Sequence, residues 1–136
     1  MIVVDTSAVV AIFRQEPDAA LYAQRIADDG QPVMSAANVV ETSLVLRGLK
    51  RITAEQAEQW LDEFLLTAGI HVEQVTAEQV QFARRAHIQF GKATGHPAGL
   101  NFGDCIAYAL ARARGEALLF KGDDFSQTDV LAAVPS

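Results

Sequence analysis

Short apolar runs spaced between helix-like stretches constrain this chain more than any other feature. Ile2-Val3-Val4, Pro32-Val33-Met34, Ile70 to Val75 and Ala117-Leu118-Leu119-Phe120 each read as a strand. The first is β-branched and the last wholly apolar, as in strands buried on both faces. Between them lie helical patterns with their own start and stop signals. Thr6 and Ser7 precede Ala8 to Phe13, and Pro17 opens a stretch through Ala27 that Gly30 ends. Ser35 precedes a helix from about Ala36 to Leu49 carrying Val39, Val40, Leu44, Val45, Leu46 and Leu49. Thr53-Ala54-Glu55-Gln56 is a capping-box pattern, and Ala57, Trp60, Leu61, Phe64 and Leu65 then recur on one stripe. Thr76 caps a helix with Val80, Ala83, His87 and Phe90 at helical spacing, and Gly91 to Leu100 reads as a loop. A helix from Asp104 to about Arg114, closed by Gly115, leads into the last strand. Strands joined in this way by helices predict an α/β fold: a central parallel sheet flanked by helices on both faces.

With 136 residues, the span 1–136 is expected to be a single domain, and half its residues are hydrophobic, enough for a continuous core. The lone cysteine, Cys105, excludes an intramolecular disulfide, so a cytoplasmic setting is the expectation. Asp5 comes after only four residues and neither a charged n-region nor a long apolar stretch follows, so no secretory signal is expected, and no apolar run approaches the roughly 20 residues of a membrane helix. No membrane association is expected. The net charge of −6 has the wrong sign for a protein that grips nucleic acid through a basic surface. Two readings follow: either nucleic acid is not a ligand, or the acids are gathered where a bound cation reverses the local charge.

The positions of the acids bear on that choice. In open α/β sheets the site lies outside the carboxyl ends of the strands. Asp5 stands at the end of the first strand, Asp123 and Asp124 follow the last, and Asp104 opens the helix before it. Glu41 lies in the second turn of the helix after the second strand. Carboxylates brought together repel, and a divalent cation removes the penalty. An all-oxygen set suits Mg²⁺ or Mn²⁺ rather than zinc, and such ions support phosphodiester cleavage. Taken singly, each acid also has a purely structural reading. Asp5 can cap a helix, Asp104 can sit in a first turn for the helix dipole, and Gly122-Asp123-Asp124 can be a turn. Glu41, flanked by Ala37, Asn38, Leu44 and Val45 on its helix face, is the hardest to explain as an ordinary surface charge. His87, on an apolar stripe, reads as a satisfied core histidine, and Cys105 as core packing.

Val3-Val4-Asp5-Thr6-Ser7-Ala8, Asn38-Val39-Val40-Glu41, Asn101-Phe102-Gly103-Asp104-Cys105-Ile106-Ala107-Tyr108-Ala109 and Leu118-Leu119-Phe120-Lys121-Gly122-Asp123-Asp124-Phe125 resemble, in order and spacing, the four motifs of VapC-type PIN-domain toxins. The resemblance spans essentially the whole chain. It implies a Mg²⁺- or Mn²⁺-dependent endoribonuclease, the toxin of a type II toxin–antitoxin pair, cutting RNA needed for translation such as a tRNA or rRNA. It implies Asp5 and Asp104 as principal metal ligands, Glu41 completing the site and Asp123 as the fourth acid, with Asp124 the alternative match. Thr6 or Ser7 would orient Asp5. It also implies a cognate antitoxin, a toxin homodimer, and contact with promoter DNA only through the antitoxin.

Arg14, Arg47, Lys50 and Lys92 are candidate contacts for RNA or antitoxin, although each singly also reads as surface charge. The competing functional reading is a catalytically silent PIN-fold scaffold, which retention of all four acidic segments disfavours. A phosphotransfer enzyme with an Asp nucleophile fits poorly. Ser7 stands where a haloacid-dehalogenase-like phosphatase has a second Asp, and Lys121 lacks the acidic pair of a receiver domain at the right end of the chain.

Overall fold

A computed structural model of the chain describes residues 1–134. The elements are β1 (Ile2–Val4), α1 (Thr6–Phe13), α2 (Ala19–Asp29), β2 (Val33–Ser35), α3 (Ala36–Arg47), α4 (Ala54–Thr67), β3 (His71–Glu73), α5 (Ala77–Phe90), α6 (Phe102–Arg114) and β4 (Ala117–Leu119). A short 3₁₀ turn follows at Phe125–Gln127. The four strands form one parallel sheet in the order β3-β2-β1-β4. Val3 of β1 pairs with Val33 on one side and Leu118 on the other, so β1 is central.

Alternation along these strands sends neighbours to opposite faces. Ile2, Val4, Met34 and Leu119 join a core with Val9, Tyr22, Ile26, Leu46, Ala57 and Leu61 from α1 to α4. Val3, Val33 and Leu118 join a second core with Ala86 and Phe90 of α5 and Tyr108 and Leu110 of α6. Both faces are therefore covered, as the strand-helix alternation predicts. The arrangement directs the end of β1, the start of α3 and the start of α6 to one edge of the sheet.

Several element boundaries and one core assignment depart from the sequence expectation. Thr6 and Ser7 are in the first turn of α1, because Asp5 itself is the N-cap. Pro17 precedes α2, which starts at Ala19 after Asp18 and ends at Gly30, a left-handed position with φ of +80°. Helix α3 ends at Arg47, and α6 starts two residues earlier than Asp104, capped by Asn101. The core-facing stripe of α3 is Asn38, Thr42 and Leu46, whereas Val40 and Leu44 are exposed. The inward polar groups find partners there, Asn38 at the Gly103 carbonyl of α6 and Thr42 at the Thr6 hydroxyl of α1. His87 is not a core residue. It is exposed near the end of α5, its ring lying over Gly91, where an added Cβ would meet it. Cys105 is buried in the second core as expected, and burial pushes its thiol up to about 11, far from a reactive thiolate. Among the described residues no helix is long and apolar enough to cross a membrane.

Candidate active site

Asp5 is held by the sheet before its side chain makes any contact. Its N–H donates to the Leu119 carbonyl (2.9 Å), extending the β1–β4 ladder by one residue, and its extended backbone caps α1. The Ser7 N–H donates to Asp5 Oδ2 (2.9 Å), which fixes the carboxylate. Ser7 Oγ in turn accepts the Lys121 N–H (2.9 Å), tying the segment after β4 to the start of α1. Thr6 is buried, and its hydroxyl donates to the Asn38 carbonyl (3.2 Å); Thr42 Oγ1 stands 3.0 Å from Thr6 Oγ1. The Thr6-Ser7 pair thus anchors the strand-to-helix turn to α3 and to the β4 exit.

Glu41 is positioned by the buried Asn38. The Asn38 amide donates to Glu41 Oε1 (3.2 Å) and to the Gly103 carbonyl (3.0 Å), linking α3 to the first turn of α6. Gly103 is required at that contact. A Cβ there would stand 2.6 Å from Glu41 Oε1 and closer still to the other two carboxylate atoms. Asp104 is fixed by a reciprocal capping box, with its N–H donating to Asn101 Oδ1 (2.9 Å) and its Oδ2 accepting the Asn101 N–H (3.1 Å).

Asp5, Thr6, Ser7, Glu41, Asn101 and Asp104 line one open cleft of about 370 Å³, together with Glu16 and Lys121. Burial pushes the Asp5 carboxyl up to about 7; the Ser7 hydrogen bond opposes the shift, and the charges of Asp104 and Glu41 add to it. Burial likewise pushes Asp104 up to about 6, helped by the charges of Asp124 and Glu41. The three acids therefore repel one another across the cleft. Of the tandem acids, Asp124 is the one whose charge reaches Asp104. Asp123, the first choice on the sequence resemblance, lines a neighbouring groove with Asp18 and Tyr22.

Three repelling carboxylates with no histidine or thiol lining the cleft have the donor chemistry that suits a hard divalent cation. Among the described residues, no three His, Cys, Asp or Glu side chains are close enough together to form a coordination shell as they stand. The acids share a cleft without enclosing an ion-sized point.

The basic candidates lie elsewhere. Arg14 and Lys50 line a groove of about 900 Å³ with Arg51, Phe13 and Trp60. Trp60 stacks on Phe64 (4.9 Å between ring centres) and meets Phe13 edge-on. Arg47 pairs with Glu58 (3.5 Å). Lys92 is exposed in the Gly91–Leu100 loop, and none of the four lines the acidic cleft. Sequence reasoning missed Glu16, which no local pattern marks, and the capping role of Asn101, for which Asn-x-x-Asp was a usable signal.

A family model for the PIN domain matches residues 2–131. Ribonuclease VapC28 of Mycobacterium tuberculosis is 47% identical over 132 residues, covering 97% of each chain. Ribonuclease VapC of Mycolicibacterium smegmatis is 45% identical over 130 residues, 96% of this chain and 98% of that one. In fold, the chain is similar to VapC20 of Mycobacterium tuberculosis, described as a sarcin–ricin-loop-cleaving toxin, with a TM-score of 0.75 at 22% identity. That match covers 99% of this chain and 100% of VapC20. It is also similar to VapBC2 of Rickettsia felis, solved bound to a fragment of promoter DNA, with a TM-score of 0.71 at 19% identity and coverage of 97% and 96%. The fold is that of a PIN domain, and the chain belongs to the PIN-domain family, within its branch of VapC ribonucleases.

Proposed function

We propose that this protein is the endoribonuclease toxin of a toxin–antitoxin pair, hydrolysing phosphodiester bonds of RNA needed for translation, of the tRNA or rRNA class, with Mg²⁺ or Mn²⁺. The observation that carries the reading is the buried Asp5 at the end of the central strand, sharing a cleft with Glu41 and Asp104. Near-full-length relatives named ribonucleases support it.

Asp5, Asp104 and Glu41 would hold the cation, with Asp124 better placed than Asp123 to act on Asp104. When bound, such an ion supplies a Lewis acid for the phosphate and lowers the pKa of water. The protein supplies orientation. Ser7 fixes one oxygen of Asp5, Asn38 fixes Glu41, and Asn101 fixes Asp104, so three acids from three segments are set before substrate arrives. Their negative charge also disfavours an RNA backbone without a counterion, which ties binding of the substrate to the cation.

An antitoxin and a second copy of the chain are the expected protein partners, and promoter DNA would be met through the antitoxin. Structural relatives solved as toxin–antitoxin complexes support the first. The cationic, aromatic-floored groove of Arg14, Lys50, Arg51 and Trp60 is the surface best suited to an antitoxin segment bearing both apolar and acidic side chains. Exposed Phe102, Val40 and Leu44 lie beside the acidic edge and suit self-association.

The test is cleavage of a mixed cellular RNA pool by antitoxin-free protein, with Mg²⁺, with EDTA, and by Asp5→Asn. Discrete fragments made only by the unmodified protein with Mg²⁺ are expected. Folded protein that cuts no RNA class under those conditions refutes the enzyme and leaves a binding module.

A further inference from the structure

Lys121 is the only cation among the described residues lining the acidic cleft; the charged groups around it there are Asp5, Glu16, Glu41 and Asp104. Its backbone is tied to the start of α1. It lies two residues past β4, and its N–H donates to Ser7 Oγ, the residue that also holds Asp5. Its ammonium donates to Glu16 Oε2 and to Asp18 Oδ1, the latter at 3.0 Å. Both carboxylates belong to the α1–α2 connection, and the Asp18 carboxylate also accepts from Tyr22 (2.9 Å). The Lys121 side chain is 34% exposed, so the ammonium is within reach of a ligand. It lines both the acidic cleft and the neighbouring groove of about 490 Å³, at their junction.

An exposed ion pair contributes little to folding, roughly 0–1 kcal/mol. The fold therefore does not depend on the Lys121–Glu16 pair. A lysine ammonium has three donors, and a phosphate oxygen can take the place of one carboxylate at small cost.

We propose that Lys121 is a phosphodiester-binding residue of this cleft, held on Glu16 and Asp18 in the free protein and transferred from Glu16 to an RNA phosphate when the strand enters. The proposal rests on the ribonuclease reading for its ligand. It assigns Glu16 as a competitor of substrate for the same ammonium and makes Lys121 a substrate-binding residue rather than part of the acid machinery.

The experiment uses a short fluorescein-labelled single-stranded RNA, with binding followed by fluorescence anisotropy across a KCl series on Asp5→Asn protein, so that the probe survives. Lys121→Met is expected to weaken binding about tenfold at low salt and to reduce the slope of log affinity against log salt by roughly 0.7, the contribution of one phosphate contact on a single strand. Lys121→Arg, which keeps the charge, is expected to retain both. Glu16→Gln is expected to tighten binding several-fold, and that gain should vanish in the Lys121→Met background. Unchanged affinity and slope for Lys121→Met overturn the assignment, as does a Glu16→Gln gain that persists without the lysine. RNA cleavage by the unmodified protein is measured alongside. Cleavage with an indifferent Lys121 refutes this proposal alone, whereas a protein that neither cuts nor binds RNA refutes the ribonuclease reading with it.

Discussion

Replacing Gly103 by alanine isolates the contact that sets Glu41. The new Cβ would lie 2.6 Å from Oε1 and closer to Cδ and Oε2, whereas ordinary contact begins at 3.4 Å. Even the farthest of the three atoms must therefore move by about 0.8 Å, and the others by more. Glu41 is only half-buried, so its carboxylate swings away while the helices hold. The displaced group loses its hydrogen bond from Asn38, worth about 1 kcal/mol. Alanine in a helix returns roughly 0.5–1 kcal/mol relative to glycine. Stability should thus change by less than about 1 kcal/mol, while a misplacement near 1 Å at a reacting centre can cost about 10²-fold in rate. Circular dichroism melts and kcat/KM on a mapped RNA substrate measure the two quantities. The Gly103→Ala and Glu41→Gln losses should also fail to add, since both remove the same group. Activity within twofold of the parent, or full additivity with Glu41→Gln, would show that the position of Glu41 does not matter to the reaction. A collapse in thermal stability would show instead that α3 and α6 cannot accommodate the methyl group.

Two more outcomes follow from the raised carboxyls and the α6 cap. Asp5 is raised from 3.8 to about 7 on folding, so the folded chain binds more protons than the unfolded chain between those values. Metal-free protein should therefore lose stability as pH rises from about 4 to about 7, by an amount on the order of a few kcal/mol. Asp104, raised to about 6, acts in the same direction. Asp5→Asn should flatten most of that slope, and at pH 8 Mg²⁺ should raise the Tm of the parent but hardly that of Asp5→Asn; equal shifts would place the cation elsewhere. Asn101→Ala removes the side-chain arm of the capping box, the Oδ1 acceptor of the Asp104 N–H, while the residue-101 N–H can still donate to Asp104 Oδ2, and it should cost about 0.5–2 kcal/mol by chemical denaturation. It should also depress activity beyond that loss, because the first turn that carries Asp104 loses its side-chain cap; activity that merely tracks stability would count against a positioning role.

Much of the acidic edge was legible from local chemistry. A strand that ends in Asp5 before helix-capping residues fixes that carboxylate at the carboxyl end of β1, whatever the rest of the chain does. Thr53 to Gln56 formed the capping box its spacing announced, and Thr76 capped α5. His87 was misjudged because helical periodicity reports which residues share a face, not which face a neighbouring element covers. Helix α3 gives the same lesson in reverse: its apolar Val40 and Leu44 point outward, and its polar Asn38 and Thr42 point inward.

The sequence by itself determined the alternation of strands and helices, the two-faced core, and the presence of acids at the strand ends, because each depends on residues adjacent in the chain or one helical turn apart. Only the tertiary structure decided that Asn38 bridges Glu41 to Gly103, that Asp123 lines the groove beside Asp18 while the charge of Asp124 reaches Asp104, and that Glu16, Asp18 and Lys121 meet beside Asp5. Those contacts join segments up to 105 residues apart. Their partners are chosen by how helices pack on a sheet edge and which way a turn points, and no local pattern encodes either.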